Sequence, residues 1–199
     1  MNKIALTLVC FLMVPALQAA GDANAGKQKA ASCFACHGAD GNSPSGQYPS
    51  LAGQNEKYLV KQMKDFKLGV RTNPIMQGMI APVSEDDFAD IAAYFASQTM
   101  KKAPVEEKFL KAGEAIYRGG DAERKVPACI ACHGPRGEGL ASAGYPAIAG
   151  QHPEYTIAQL KAFRDGARTN DPNGMMRGAT HLMSDKQMEA VAHYLVGLH

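Results

Sequence analysis

Cys33-Phe34-Ala35-Cys36-His37 and Cys129-Ile130-Ala131-Cys132-His133 put two thiols and an imidazole into the same five-residue arrangement twice in one chain. Thiols at this spacing can close a disulfide, and two such pairs can hold zinc as a four-thiolate site. Neither chemistry uses the histidine that follows each second cysteine. Covalent haem attachment does: both thiols add to the vinyl groups of the porphyrin, and the adjacent histidine turns back onto the iron. One such motif can arise by chance. Two copies, with Cys10 as the only other cysteine, point to two haem c groups carried by Cys33, Cys36, Cys129 and Cys132, with His37 and His133 on the irons.

The elements that position these residues are also duplicated. Tyr48-Pro49-Ser50-Leu51-Ala52-Gly53-Gln54 matches Tyr145-Pro146-Ala147-Ile148-Ala149-Gly150-Gln151, and Arg71-Thr72-Asn73 recurs as Arg168-Thr169-Asn170. Ser84, with Phe88, Ile91 and Tyr94 after it, recurs as Ser184 with Met188, Val191 and Tyr194. An ordered match of this extent is a tandem repeat of one haem-binding unit. Each unit reads as helical: an opening helix (about 23–36, and about 105–117 before an inserted loop), a middle helix after Gly-Gln, and a last helix capped by Ser84 or Ser184. Asp87 and Gln187 stand where a capping box needs them, and no strand pattern is present. Tyr58, Leu59, Met63 and Phe66, like Tyr155, Leu160 and Phe163, read as core and haem-packing positions on the middle helices.

An iron held by one histidine has a sixth position, and a strong protein ligand there favours electron transfer over small-molecule chemistry. Pro74 and Gly78 mark Asn73 to Ile80 as a loop holding two methionines, Met76 and Met79. Counting back eight residues from Ser84 and Ser184 pairs Met76 with Met176, whereas Met79 faces Ala179, Met175 faces Ile75, and Met183 faces Val83. Met76 and Met176 are therefore the candidate ligands, soft uncharged thioethers that favour Fe(II), and Met79 is left as a packing residue. His152, His181, His193 and His199 have no repeated counterpart and read as surface or packing residues.

The 199 residues carry a formal charge of +2, which supplies no large field for nucleic acid. Asn2 and Lys3, an apolar run over 4–17 and the small residues Ala19, Ala20 and Gly21 form an export signal over 1–20. The domain reading is then 21–100, a linker at 101–107, and 108–199. Lys57, Lys61, Lys64, Lys67 and Arg71 recur at helical spacing, a basic stripe expected to be a solvated face, with docking of an acidic partner or a membrane surface as the alternative.

The paired C-x-x-C-H, Y-P-x-(Leu/Ile)-A-G-Q and R-T-N segments, with the terminal Gly-Leu-His, resemble the dihaem cytochrome c4 family over the whole mature chain. The resemblance implies an all-α chain of two tandem cytochrome c domains related by an approximate two-fold axis. It also implies His/Met ligation at both irons, and carbonyls of Pro49 and Pro146 that accept from the second ring nitrogen of His37 and His133. The insertion at 119–127 is in keeping with the family. By the same resemblance the protein is a periplasmic electron carrier, loosely associated with the membrane, taking electrons from a quinol–cytochrome c oxidoreductase-type donor and passing them to a haem–copper oxidase-type acceptor. The rival readings are a dihaem subunit of a dehydrogenase, such as a flavocytochrome oxidising sulfide, a dihaem peroxidase and a haem-based gas sensor.

Overall fold

A computed structural model describes residues 21–198, so the export signal over 1–20 and His199 lie outside the described residues. The helices of the first half are α1 (Ala23–Lys29), α2 (Phe34–His37), α3 (Glu56–Lys67), α4 (Pro74–Ile80) and α5 (Phe88–Ala96). The second half repeats them as α6 (Glu107–Gly119), α7 (Ile130–His133), α8 (Pro153–Arg164), α9 (Met175–Thr180) and α10 (Asp185–Leu195). Among the described residues there is no strand, only isolated bridges pairing Asp121 with Val126 and Leu140 with Tyr145.

Each half is built on a crossing of its first and last helices, α1 on α5 and α6 on α10. Gly26 and Gly113 permit the approach: a Cβ on Gly26 would stand 1.9 Å from the Asp90 carbonyl oxygen, and one on Gly113 2.3 Å from the Tyr194 Cβ. Subtracting the nine residues of 119–127 leaves both glycines seven residues before the first cysteine of their motif. Behind the crossing the expected apolar positions are buried: Phe88, Ile91 and Tyr94 in one core, Met188, Val191 and Tyr194 in the other.

Local chemistry departs from the sequence expectation in three places. The opening helix of the first half ends at Lys29, and Ala31–Cys33 tightens into a 3₁₀ turn before α2. Ser184 forms the full capping box with Gln187, whereas Ser84 accepts only from the Asp86 N–H. Asp87 is taken instead by Lys29, 2.6 Å away. Residues 74–80, expected as a loop, are helical, because Pro74 sits in the first turn, where its missing N–H costs nothing, and the Asn73 side chain caps the Met76 N–H at 3.0 Å.

Candidate haem sites

The C-x-x-C-H motifs occupy α2 and α7 with the residue before each, short helical turns that end at the histidine and exit through Gly38 and Gly134. Cys33 packs against the first core and Cys129 against the second. Burial pushes the Cys129 thiol up to about 11 and the Cys33 thiol above its usual value. The two pairs stand on separate cores in opposite halves, so the four thiols do not converge on one four-thiolate site. Among the described residues no disulfide joins these cysteines, and no group of three or more His, Cys, Asp or Glu is placed to hold a bare metal ion.

His37 and His133 are both buried, 5% and 8% exposed. His37 Nδ1–H donates to the Pro49 carbonyl at 2.8 Å, and His133 Nδ1–H to the Pro146 carbonyl at 2.9 Å. A carbonyl only accepts, so Nδ1 carries the proton and Nε2 keeps its lone pair for a metal. Burial lowers both imidazole pKa values against the smaller opposing pull of the carbonyls, which keeps the rings neutral. Each half thus presents a neutral imidazole with its tautomer fixed beside two thiols on an apolar floor, a donor set that fits haem c.

The methionines separate by exposure. Ile80 and Thr180 are buried four residues after Met76 and Met176, so the two methionines share the inward face of α4 and α9. Met76 packs against the first core beside Cys33, Phe34 and Leu51. Met79 is 38% exposed and Met175 39%, so Met79 is a surface residue and not the packing residue expected from sequence. The Met175 sulfur accepts from the Tyr145 hydroxyl at 3.5 Å. Met176 is half-buried, and its carbonyl accepts from Thr180 Oγ1 at 2.8 Å. Helix α9 is held by Asp171, whose carboxylate accepts the Arg177 N–H at 3.0 Å and its Nε–H at 2.9 Å.

Three of the five residues of the basic stripe reach the other half. Lys57 Nζ donates to the Ser142 carbonyl and Lys61 Nζ to the Asn170 carbonyl, both at 2.9 Å, and Arg71 donates to the Tyr155 hydroxyl and Gln159 Oε1. Lys67 turns back on the carbonyls of Ala81 and Val83, and Lys64 is exposed, as is Lys57 despite its bond to Ser142. Arg168 mirrors Arg71: it donates to the Tyr58 hydroxyl, Gln62 and Gln159, and its guanidinium lies over Phe163 at 4.5 Å as that of Arg71 lies over Phe66 at 4.7 Å. Tyr58 and Tyr155 are therefore contacts between the halves and not core residues. In the sequence Gln54, Gln151 and Arg168 stand only as repeat markers, and Arg71 as part of a solvated stripe. Polar residues recurring at matched positions outside the candidate ligands were the available signal.

The cytochrome c family model matches this chain twice, over 23–99 and 110–199. Cytochrome c4 of Pseudomonas aeruginosa is 48% identical, with all of both chains covered. The thiosulfate dehydrogenase electron acceptor of Thiomonas intermedia is 42% identical over 84% of this chain and 78% of the relative. The crystal structure of reduced recombinant cytochrome c4 from Pseudomonas stutzeri superposes with a TM-score of 0.87 at 46% identity, covering 90% of this chain and all of that one.

Proposed function

The chain belongs to the cytochrome c4 family of dihaem electron-transfer proteins, and we propose that it shuttles single electrons in the periplasm through two His/Met-ligated haems. When bound, each haem supplies one-electron chemistry at an iron that passes between Fe(III) and Fe(II). Cys33 and Cys36 hold the first haem and Cys129 and Cys132 the second, with His37 and Met76, and His133 and Met176, as axial ligands. Pro49 and Pro146 fix the imidazole orientation, so the ligand set stays in place on both sides of the redox change. The domains are 21–100 and 108–199, joined by the linker 101–107, with 1–20 removed on export. The observation that carries this reading is the matched pair of buried, Nδ1-protonated histidines, each beside its two thiols, with an inward methionine in the corresponding helix of each half.

A redox titration of the purified holoprotein with optical detection tests it. Two high-potential transitions that both carry the methionine–iron band are expected; loss of that band at one haem, with ready carbon monoxide binding, would restore the peroxidase reading. Electrons leave to a haem–copper oxidase-type or other respiratory acceptor. On the donor side, the relative named as electron acceptor of thiosulfate dehydrogenase favours a second reading beside a quinol–cytochrome c oxidoreductase-type donor, in which a sulfur-oxidising dehydrogenase reduces this protein. Stopped-flow reduction by each donor class separates the two.

A further inference from the structure

The peptide unit joining Pro49 to Ser50 is engaged at both ends. Its carbonyl accepts from His37 Nδ1 at 2.8 Å, and its N–H donates to Gln151 Oε1, in the opposite half, at 2.9 Å. The unit joining Pro146 to Ala147 does the same in mirror image, accepting from His133 Nδ1 at 2.9 Å and donating to Gln54 Oε1 at 2.8 Å. Each glutamine then closes a second bond with its amide nitrogen, Gln151 Nε2 to the Ser50 carbonyl at 2.9 Å and Gln54 Nε2 to the Ala147 carbonyl at 2.8 Å. The amide orientation is fixed, because each Oε1 also accepts the N–H of its own following residue, Asn55 at 2.9 Å or His152 at 3.1 Å. A flipped amide would set its NH₂ against two N–H donors.

Ser50, Gln54 and Gln151 are buried, and in such surroundings hydrogen bonds in series polarise one another. A peptide N–H that donates leaves its own carbonyl a stronger acceptor. A stronger acceptor draws on the Nδ1 proton and makes Nε2 a better electron donor to a metal. We propose that Gln151 is a positioning residue for the haem of the first half and Gln54 for that of the second. Each glutamine raises the basicity of the opposite histidine through one peptide unit, so both reduction potentials depend on the two halves being docked. The proposal rests on the reading of His37 and His133 as iron ligands.

The test is an NMR-followed redox titration of the full-length holoprotein, with haem methyl resonances assigned to each half. Gln151→Leu is expected to shift the first haem about twofold to tenfold toward Fe(II) at fixed ambient potential, the second haem moving less. Gln54→Leu is expected to do the reverse. Gln151→Glu, which keeps an acceptor oxygen for the Ser50 N–H, leaves the first haem at its wild-type position or moves it toward Fe(III). Equal shifts at both haems in both leucine variants, a shift confined to the haem of the substituted half, or no shift overturns the proposal. If the leucine variants fail to hold haem, wild-type deuterium fractionation at the Ser50 and Ala147 amides decides: it changes on reduction of the first and second haem respectively, and constancy overturns the relay. Histidine nitrogen hyperfine signals from both wild-type haems are a separate readout. Their absence would overturn the ligation reading itself, whereas their presence without a cross-half shift overturns only the relay.

Discussion

Met76 and Met79 sit three residues apart on α4, yet only Met76 lies on the face that ends in buried Ile80, and the second half repeats the contrast with Met175 and Met176. Met76→Leu is expected to abolish the methionine–iron band of the first haem and lower its potential, while Met79→Leu leaves the spectrum at wild type. Met176→Leu and Met175→Leu should divide the same way at the second haem, and optical titration of the four variants checks all of it. Asp171 supports α9 by charge. Burial of its side chain acts to raise the carboxyl pKa, but the Arg177 N–H and guanidinium outweigh burial and hold it below the ordinary value. A depressed carboxylate contributes stability that is complete above the unfolded-state pKa of about 3.9 and fades as pH falls through the folded value. Asp171→Asn should therefore cost about 1–3 kcal/mol near neutral pH, by the usual cost of losing a charge-assisted hydrogen bond. Urea unfolding of wild type and variant should converge as pH falls through the depressed folded-state value and both carboxyls become protonated.

The helices that carry these residues were legible to different degrees, for physical reasons. Apolar positions at helical spacing placed α3, α5, α8 and α10, because those helices bury one face against a core and their sequences record it. The ends of the opening helices were not legible, since nothing local to Ala30 forbids a further turn; the break after Lys29 is imposed by Cys33 and Phe34 seating on the core. α4 was hidden because Pro74 and Gly78 are loop residues in most settings, and only the Asn73 cap turns them into a short helix. The crossings of α1 on α5 and of α6 on α10 were equally silent in sequence, as a helical glycine reads as a weak point until its neighbour is known. Gly113→Ala drives a methyl group into Tyr194 and the Ala190 carbonyl, where the backbone must move to admit it. The expected cost is about 1–3 kcal/mol of stability from overpacking, seen as a lower thermal midpoint of the holoprotein, with Gly26→Ala at the Asp90 carbonyl costing as much or more. Alanine at Gly178, whose Cβ would meet nothing within 4 Å, should be neutral or slightly stabilising.

Across the whole molecule, the bonds between the halves obey the same two-fold relation as the sequence repeat. Arg71 reaches Tyr155 and Gln159 while Arg168 reaches Tyr58 and Gln62, and Gln54 and Gln151 exchange places in the same manner. The haem motifs were readable because paired thiols followed by an imidazole are rare and sharply spaced, whereas the interface was not. Lys57, Lys61 and Arg71 carry the periodicity of an ordinary solvated face, and only the fold shows that they bond to the second half. The symmetry is broken around the first middle helix: Asp65 is buried against Lys61 and Asn170 while its counterpart is Ala162, and Lys57 and Lys61 reach the second half from positions held there by Glu154 and Ala158. Because buried guanidinium bonds leave several polar partners unsatisfied when one end is removed, the two arginines should dominate the coupling between halves. Wild-type holoprotein is expected to unfold in a single calorimetric transition, and Arg71→Ala combined with Arg168→Ala to split it into two, one for each half. Lys64→Ala, on the exposed remainder of the stripe, should stay within about 0.5 kcal/mol of wild type. A single undivided transition in the double variant would assign the coupling to Gln54 and Gln151, the remaining bonds that cross between the halves in matched pairs.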